Sequence, residues 1–290
     1  MPTSQKLPIV LAHGIARFDI LLEILRKKLS LPETQTGDQF QYFKGIKSHL
    51  EADGFTVFHP NQDFAGPVDL RAEQLKARVN EAISTTGVDR VHIIAHSMGG
   101  LDARHMIVDK GMGEKVASLT TIGTPHLGTI LADHLLGPGG KLLLHLVRPV
   151  LNIDGFADLT ITACEQFNMR AEDQEARNNV VYQTYASSET VNLVFAPLIP
   201  SWIFIHHHED KNDGLVPVSS QQWKKELVAS DGTPKPVAQN EFDFPADHLN
   251  QVGWWDPQEA VLGSTSLFKQ AADYERKIKD LYLEIAQGLP

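Results

Sequence analysis

Short apolar runs alternate with amphipathic stretches over the first half of the chain. The runs cover 8–12, 54–58, 91–95 and 116–122, and turn-forming or polar residues bound each of them. Such runs are typical of buried strands. Between them, 42–50 and 71–83 carry apolar residues at helical spacing. The alternation predicts an α/β fold: a mostly parallel central sheet, built from βαβ units, with helices on both faces.

The stretch from 129 to 160 interrupts this alternation. Leucines cluster on both sides of a glycine-rich segment at 137–140, and acidic residues are few. The pattern predicts one or two apolar helices hinged at the glycines. We interpret 129–160 as a lid-like insertion over the edge of the sheet, and its burial as ordinary core is the alternative.

The remaining chain predicts fewer regular elements. We expect a helix over 159–167, a strand over 180–186, a short strand at 204–205 ahead of three histidines, a loop over 229–247 and a closing helix over 268–285. With no internal repeat and no linker, residues 1–290 are expected to form a single domain.

Ser97 is the first candidate for chemistry. It follows the apolar run that ends at Ala95-His96, precedes Met98-Gly99, and a helical pattern begins just after it. A serine in a tight turn between a strand and a helix is typical of a nucleophile elbow, where small neighbours allow close packing. A serine hydroxyl needs a base, an orienting acid and hydrogen-bond donors for an oxyanion.

The chain supplies these partners in the order that a nucleophile elbow requires. Asp213, in an Asn-Asp-Gly turn, is the candidate acid, and His248 is the candidate base. Asp210 and Asp243 are alternatives for the acid. The backbone N–H groups of Ile15, after His13-Gly14, and of Met98 are the candidate oxyanion donors. These residues in this order indicate acyl transfer through a serine nucleophile.

Charge and composition narrow the partners. The net charge of −10 argues against nucleic acid as a partner. No apolar run reaches the roughly 20 residues that span a bilayer, so no transmembrane segment is expected. The first residues show no secretory signal pattern. The expected location is therefore the cytoplasm, or the outside of the cell for a protein expressed without its leader.

The histidine and cysteine content predicts no metal site and no disulfide. Cys164 is the only cysteine, which rules out an intrachain disulfide, and its helical surroundings favour a small buried residue. His206, His207 and His208 are consecutive, so they cannot all face one ion on a strand. His96 and His126 lie beside the candidate site, where hydrogen-bonded support is favoured over direct chemistry.

Seven segments together resemble bacterial triacylglycerol lipases of the α/β-hydrolase fold, of the Pseudomonas and Burkholderia type. They are 8–14, 42–46, 71–75, 95–100, 121–128, 212–216 and 247–252, in that order. The resemblance implies hydrolysis of carboxylic esters, a mobile lid over an acyl pocket, and Ser97, Asp213 and His248 as the catalytic triad. It also implies an acylglycerol or other acyl ester as the substrate, met at a lipid–water interface.

The chain departs from those relatives in ways that bear on metal binding. The relatives bind a structural calcium near the catalytic histidine through an aspartate two residues after it, where this chain has Asn250. A neutral amide is a weaker ligand for calcium than a carboxylate. Asp210, Asp247 and Asp256 are the residues that offer another route to such a site. We expect no cofactor in catalysis, and absence of calcium is favoured over its presence.

The sequence therefore favours a serine hydrolase, and among these a triacylglycerol lipase. A short-chain carboxylesterase or thioesterase is the nearest alternative, and the long apolar insertion opposes it. A non-catalytic binding module of the same fold is a further alternative, opposed by the presence of every triad candidate.

Overall fold

A sheet of seven strands organises the part of the chain that the structure describes. The structure, a computed structural model, describes residues 6–14, 38, 41–59, 66–147, 153–254 and 265–290. The strands are β1 (Ile9–Ala12), β2 (Val57–Phe58), β3 (Val91–His96), β4 (Val116–Ile122), β5 (Val181–Ala186), β6 (Glu226–Val228) and β7 (Pro234–Glu241). Their order across the sheet is β2-β1-β3-β4-β5-β7-β6. Neighbours are parallel except β6 and β7, which pair antiparallel.

Helices connect the parallel strands. They are α1 (Ile46–Ala52), α2 (Val68–Thr86), α3 (Met98–Asp109), α4 (Ile130–Leu136), α5 (Lys141–Val147), α6 (Ile161–Arg177), α7 (Ile199–Glu209), α8 (Val218–Gln221) and α9 (Thr265–Gln287). Short 3₁₀ turns include Ile153–Leu159 and Asn250–Val252. Among the described residues, none of the helices combines the length and the apolar character that crossing a bilayer requires.

The central strands β1, β3 and β4 bury both of their faces, as the sequence predicts. Alternate residues of a strand point to opposite sides, and Ile9 and Leu11 of β1 pack in one apolar cluster with α1 and α9. Val10 and Ala12 pack in a second cluster with α2, α3 and α6. The sheet is therefore the middle layer of three, and the α/β class is confirmed.

The first half of the chain agrees best with the sequence-based elements. Strands β1, β3, β4 and β5 lie within one residue of the predicted runs, and α2 contains the predicted 71–83. The predicted helix over 42–50 begins only at Ile46, because Gly45 before it has a φ of 64°. That left-handed backbone ends any continuous helix from Tyr42.

Two predictions in the second half are wrong. The expected strand at 204–205 is part of helix α7, whose Ser201 and Ile205 point inward one turn apart. The expected loop over 229–247 contains strand β7, which closes the sheet with β6. Few of the β7 side chains are buried, so the hydrophobic pattern of a strand is weak there.

The insertion contributes to the core and also exposes apolar surface. Leu131 and Leu135 of α4 are buried in the cluster that contains Met98. Leu136, Leu142 and Leu146 face outward, with exposed fractions of 55%, 75% and 47%. Residues 148–152 lie outside the described part of the chain. The insertion is thus amphipathic, with one face on the core and the other uncovered.

Candidate active site

Ser97 occupies a sharp turn at the end of the central strand β3. Its backbone φ of 58° lies in a region that residues other than glycine seldom adopt. A Cβ on Gly99 would come within 2.6 Å of the carbonyl oxygens of Ala12 and His13. A Cβ on Gly100 would meet Thr124 Oγ1 at 2.2 Å. Helix α3 can therefore begin directly beneath Ser97 only because both residues are glycines.

Ser97, His248 and Asp213 come together at this end of the sheet. His248 Nε2 lies 2.8 Å from Ser97 Oγ, and His248 Nδ1 lies 2.7 Å from Asp213 Oδ2. A carboxylate only accepts hydrogen bonds, so Nδ1 carries the imidazole proton and Nε2 is free to accept the serine hydroxyl proton. The exposed fractions are 3%, 2% and 0% for Ser97, His248 and Asp213. The arrangement can deprotonate Ser97 during attack on an electrophilic carbon.

Of the three acid candidates, the structure brings Asp213 to His248. Gly214 turns the chain with a φ of 100°, and the backbone N–H of His248 donates to the Asp213 carbonyl at 2.8 Å. The acid loop and the histidine loop are thereby joined through backbone as well as side chain. Asp210 and Asp243 are exposed, and no hydrogen bond between either side chain and His248 is found among the described residues.

A further set of polar side chains lies behind these three residues. His96 hydrogen bonds to Tyr42 Oη at 2.7 Å through Nδ1, and to Gln251 Oε1 at 2.8 Å through Nε2. Gln251 Nε2 in turn donates to Asp213 Oδ2 at 2.9 Å. Sequence analysis gave neither Tyr42 nor Gln251 a role. Both lie in segments that carry the family resemblance, but sequence spacing alone does not place them against Asp213.

One of the two expected oxyanion donors can be located. Met98 begins α3, so its N–H is among the first helical N–H groups, which have no partner within the helix. The positive end of the helix dipole adds to the attraction for an anion there. Ile15, the other expected donor, lies outside the described residues and stays a prediction. Gly14 beside it touches the nucleophile: a Cβ at Gly14 would lie 2.5 Å from Ser97 Cβ.

Among the described residues, Asp247 and Asn250 on either side of His248 do not fit a calcium site. Asp247 Oδ1 accepts the backbone N–H groups of Leu249 and Asn250, and Oδ2 accepts that of Phe195. Asn250 Nδ2 donates to the carbonyl of Trp254. Oxygens already occupied by N–H donors offer little to a cation that needs six to eight oxygen ligands. Asp256 lies outside the described residues.

The other histidines highlighted by the sequence have structural partners. The ring of His126 stacks on Trp223 at 4.6 Å and hydrogen bonds to Thr121 Oγ1 at 2.9 Å. Burial keeps the pKa of His126 well below its usual value, and the charge of Arg104 adds to this effect. His206–His208 lie exposed on α7. The described residues hold no group of three or more His, Cys, Asp or Glu side chains that is placed to bind a metal.

Comparison with known proteins gives a consistent result. The family profile described as the alpha/beta hydrolase fold matches residues 8–188. A triacylglycerol lipase of Vibrio cholerae serotype O1 is 33% identical over 92% of this chain and 84% of its own length. Triacylglycerol lipase 2 of Saccharomyces cerevisiae is 28% identical over 98% of this chain and 91% of its own length.

Solved structures share the fold at lower identity. The mature Bacillus licheniformis lipase BlEst2 superposes with a TM-score of 0.60 at 18% identity, over 86% of this chain and 87% of that one. The metagenomic carboxyl esterase MGS0156 gives a TM-score of 0.62 at 17% identity, over 98% of this chain and 76% of that one.

Proposed function

The chain belongs to the α/β-hydrolase family, and from that premise we propose that it hydrolyses acylglycerol esters through an acyl-enzyme on Ser97. It is a carboxylic ester hydrolase, as the lipase relatives that span nearly its whole length support. The observation that carries the proposal is the pair of hydrogen bonds from His248 to Ser97 Oγ and to Asp213.

In the proposed reaction, Ser97 Oγ attacks the ester carbonyl while His248 Nε2 takes its proton. Asp213 holds the imidazole in the tautomer with hydrogen on Nδ1 and stabilises the imidazolium that forms. His248 then protonates the leaving alcohol, and a water molecule, activated by the same imidazole, releases the fatty acid from Ser97. His248 passes the proton taken from that water to Ser97 Oγ as the serine leaves, which restores the free enzyme.

The tetrahedral intermediate carries a negative oxygen near the start of α3. The Met98 N–H and, as a prediction from sequence, the Ile15 N–H donate to it. Loss of one such donor typically costs about 3–4 kcal/mol of transition-state stabilisation. The close contact of Gly14 with Ser97 supports a donor from the loop that follows β1, because the backbone there already reaches the nucleophile.

The reaction is tested by measuring hydrolysis against acyl length. Esters from acetyl to palmitoyl and an emulsified triglyceride are compared, with Ser97→Ala as the matched blank. We expect wild-type turnover on long chains and emulsion, and a loss of about 10⁶-fold in kcat for Ser97→Ala with its fold intact. A Ser97→Ala protein that keeps most of its activity would refute the role of Ser97. Activity confined to short soluble esters would support a carboxylesterase.

We further propose that the insertion meets the lipid–water interface. Ser97 is 3% exposed, and in this proposal the insertion moves to admit an ester to it. The outward leucines of α4 and α5, Leu136, Leu142 and Leu146, offer an apolar surface that would face lipid. An exposed apolar cluster is a common mark of a membrane-facing or binding surface.

Leu142→Gln tests this role of the insertion. We expect activity on emulsified triglyceride to fall several-fold, with hydrolysis of a soluble short ester unchanged, because only adsorption to the interface is weakened. Met169→Gln is the matched control, since Met169 is 70% exposed but lies on α6, outside the insertion. Equal losses in the two variants, or no loss in Leu142→Gln, would contradict the proposal.

A further inference from the structure

Gln251 is a buried glutamine whose amide orientation is fixed by its neighbours. It is fully buried on the 3₁₀ turn Asn250–Val252. One end of the amide lies 2.9 Å from Asp213 Oδ2, an acceptor with no proton to give. The NH₂ group must therefore face Asp213, and the oxygen Oε1 must face His96. The second amide proton is donated to Ser187 Oγ at 2.8 Å.

With that amide in place, each of the two carboxylate oxygens of Asp213 accepts two hydrogen bonds. Oδ1 accepts the N–H groups of Leu215 at 3.0 Å and Val216 at 2.8 Å. Oδ2 accepts both His248 Nδ1–H and Gln251 Nε2–H. Four donors from three directions prevent the carboxylate from rotating away from His248. Gln251 is the only side chain other than His248 that holds Oδ2 among the described residues.

The same amide sets the proton positions on His96. Because Gln251 Oε1 can only accept, His96 Nε2 carries the proton, and Nδ1 accepts the hydroxyl proton of Tyr42. Burial keeps the pKa of His96 well below its usual value, and the nearby His248 adds to this, so the ring is neutral. The His96 ring lies 4.5 Å from that of His248 and supports it from behind.

The chain of hydrogen bonds ends at Tyr42, beside the residues that follow β1. A Cβ on Gly14 would lie 2.9 Å from Tyr42 Oη and 2.5 Å from Ser97 Cβ, so the backbone there approaches both residues closely. A Cβ on Gly123 would overlap Gln251 Oε1, so the glycine after β4 leaves space for this amide. One amide therefore links Asp213 to the His96–Tyr42 pair.

We propose that Gln251 is a positioning residue for the reaction: its amide holds Asp213 toward His248 and fixes the His96–Tyr42 pair behind the nucleophile. The proposal rests on the proposed roles of Ser97, His248 and Asp213. Without the amide, Oδ2 loses a donor in a buried site, and the carboxylate gains freedom to turn. His248 is then held less often in the geometry that accepts the Ser97 proton, while ester binding is unaffected.

The test uses Gln251→Met, which keeps length and volume, and Gln251→Glu, which keeps shape and places an acidic group beside Asp213. A hydrogen bond to a charged group typically contributes enough for about a ten- to hundred-fold change in rate. We expect kcat on a soluble short ester to fall by that factor in both variants. KM should stay within about twofold, and the rate of labelling by a fluorophosphonate probe should fall in parallel with kcat.

Gln221→Met is the matched control. Gln221 is equally buried and also makes three hydrogen bonds, but all of them go to the backbone of Ser187 and Val216. We expect it to lose stability in urea unfolding and to keep kcat. The proposal is overturned if a folded Gln251→Glu protein has the wild-type kcat. It is also overturned if Gln221→Met loses as much kcat as the Gln251 variants do for the same loss of stability.

Failure of the proposed function would look different. In that case the wild-type protein would neither hydrolyse the ester nor react with the probe at Ser97, and the role of Gln251 would fall with it. An active wild type with unimpaired Gln251 variants would remove only the positioning role.

Discussion

A buried histidine on the strand that leads to Ser97 should make a destabilising contribution to folding at acid pH. His92 of β3 is 5% exposed and hydrogen bonds through Nδ1 to Ser118 Oγ at 2.7 Å. Burial lowers the pKa of His92 to about 4, and the charge of Arg90 adds to this effect. The histidine of the unfolded chain has a pKa of about 6.5. Between about pH 4 and about pH 6.5, the unfolded chain therefore binds a proton at His92 that the folded chain does not bind.

The sign and size of the effect follow from proton linkage. Wherever the unfolded state binds more protons, stability falls as pH falls. Between about pH 7.5 and about pH 5, a shift of this size lowers the free energy of unfolding by about 2 kcal/mol for His92 alone. Burial raises the pKa of Asp102 and of Asp247 to about 7, and those groups act in the opposite direction over the same window.

A variant comparison isolates the histidine from these opposing groups. His92→Asn keeps a polar atom near the position of Nδ1 but has no proton to gain. Urea unfolding of wild type and His92→Asn is measured at both pH values, with exposed His207→Asn as the control. We expect the acid-induced loss in His92→Asn to be smaller than in wild type by about 2 kcal/mol. Equal losses in the two proteins would refute the reasoning.

Other regions lead to three shorter predictions. Gly99→Val should lower the free energy of unfolding by about 3 kcal/mol or more, seen in urea unfolding, because its Cβ would meet two carbonyl oxygens at 2.6 Å. A chelator such as EDTA should leave both ester hydrolysis and Tm unchanged, since Asp247 and Asn250 are occupied by protein hydrogen bonds; a drop in either would indicate a resident cation. Arg104→Met should destabilise the fold by about 3–5 kcal/mol in thermal or urea unfolding, because it leaves the fully buried Glu175 carboxylate without its ion pair, and an unchanged stability would contradict this expectation.

The buried parallel strands could be predicted because sequence and environment agree there. Strands such as β3 are buried on both faces, so apolar residues predominate in them and their ends are marked by glycine or by a change in polarity. Strand β7 is different: Pro234 and Lys235 open it, and only Val237 is buried. A strand near the edge of a sheet carries polar residues on much of its length, which is why its pattern resembled a loop.

Local propensity was misleading at helix α7. The run Trp202–Ile205 consists of aromatic and β-branched residues, which favour strands. Pro200 lies near the helix start, and Ser201 and Ile205 both point inward one turn apart. Packing of this inward face against the neighbouring helices determines that the segment is helical. Tertiary contacts of this kind are not encoded in a short window of sequence.

The candidate site likewise contains residues that could be predicted from the sequence and contacts that could not. Ser97 and Asp213 could be identified because each lies in a turn with a recognisable sequence, and His248 because it follows them in order. The contact between Gln251 and Asp213 could not, because it joins residues 38 positions apart. Its donors and acceptors become assignable only when the carboxylate is known to face the amide.

The backbone conformation of Ser97 has a consequence for the evolution of this sequence. A φ of 58° suits glycine far better than serine, and strain of this kind is worth about 1–3 kcal/mol. A chain with glycine at this position would lack the proposed nucleophile, and we expect it to be harder to unfold because the backbone strain is relieved. Selection for robustness alone therefore drives the protein toward an inert scaffold, and only continued demand for turnover keeps the hydroxyl in place.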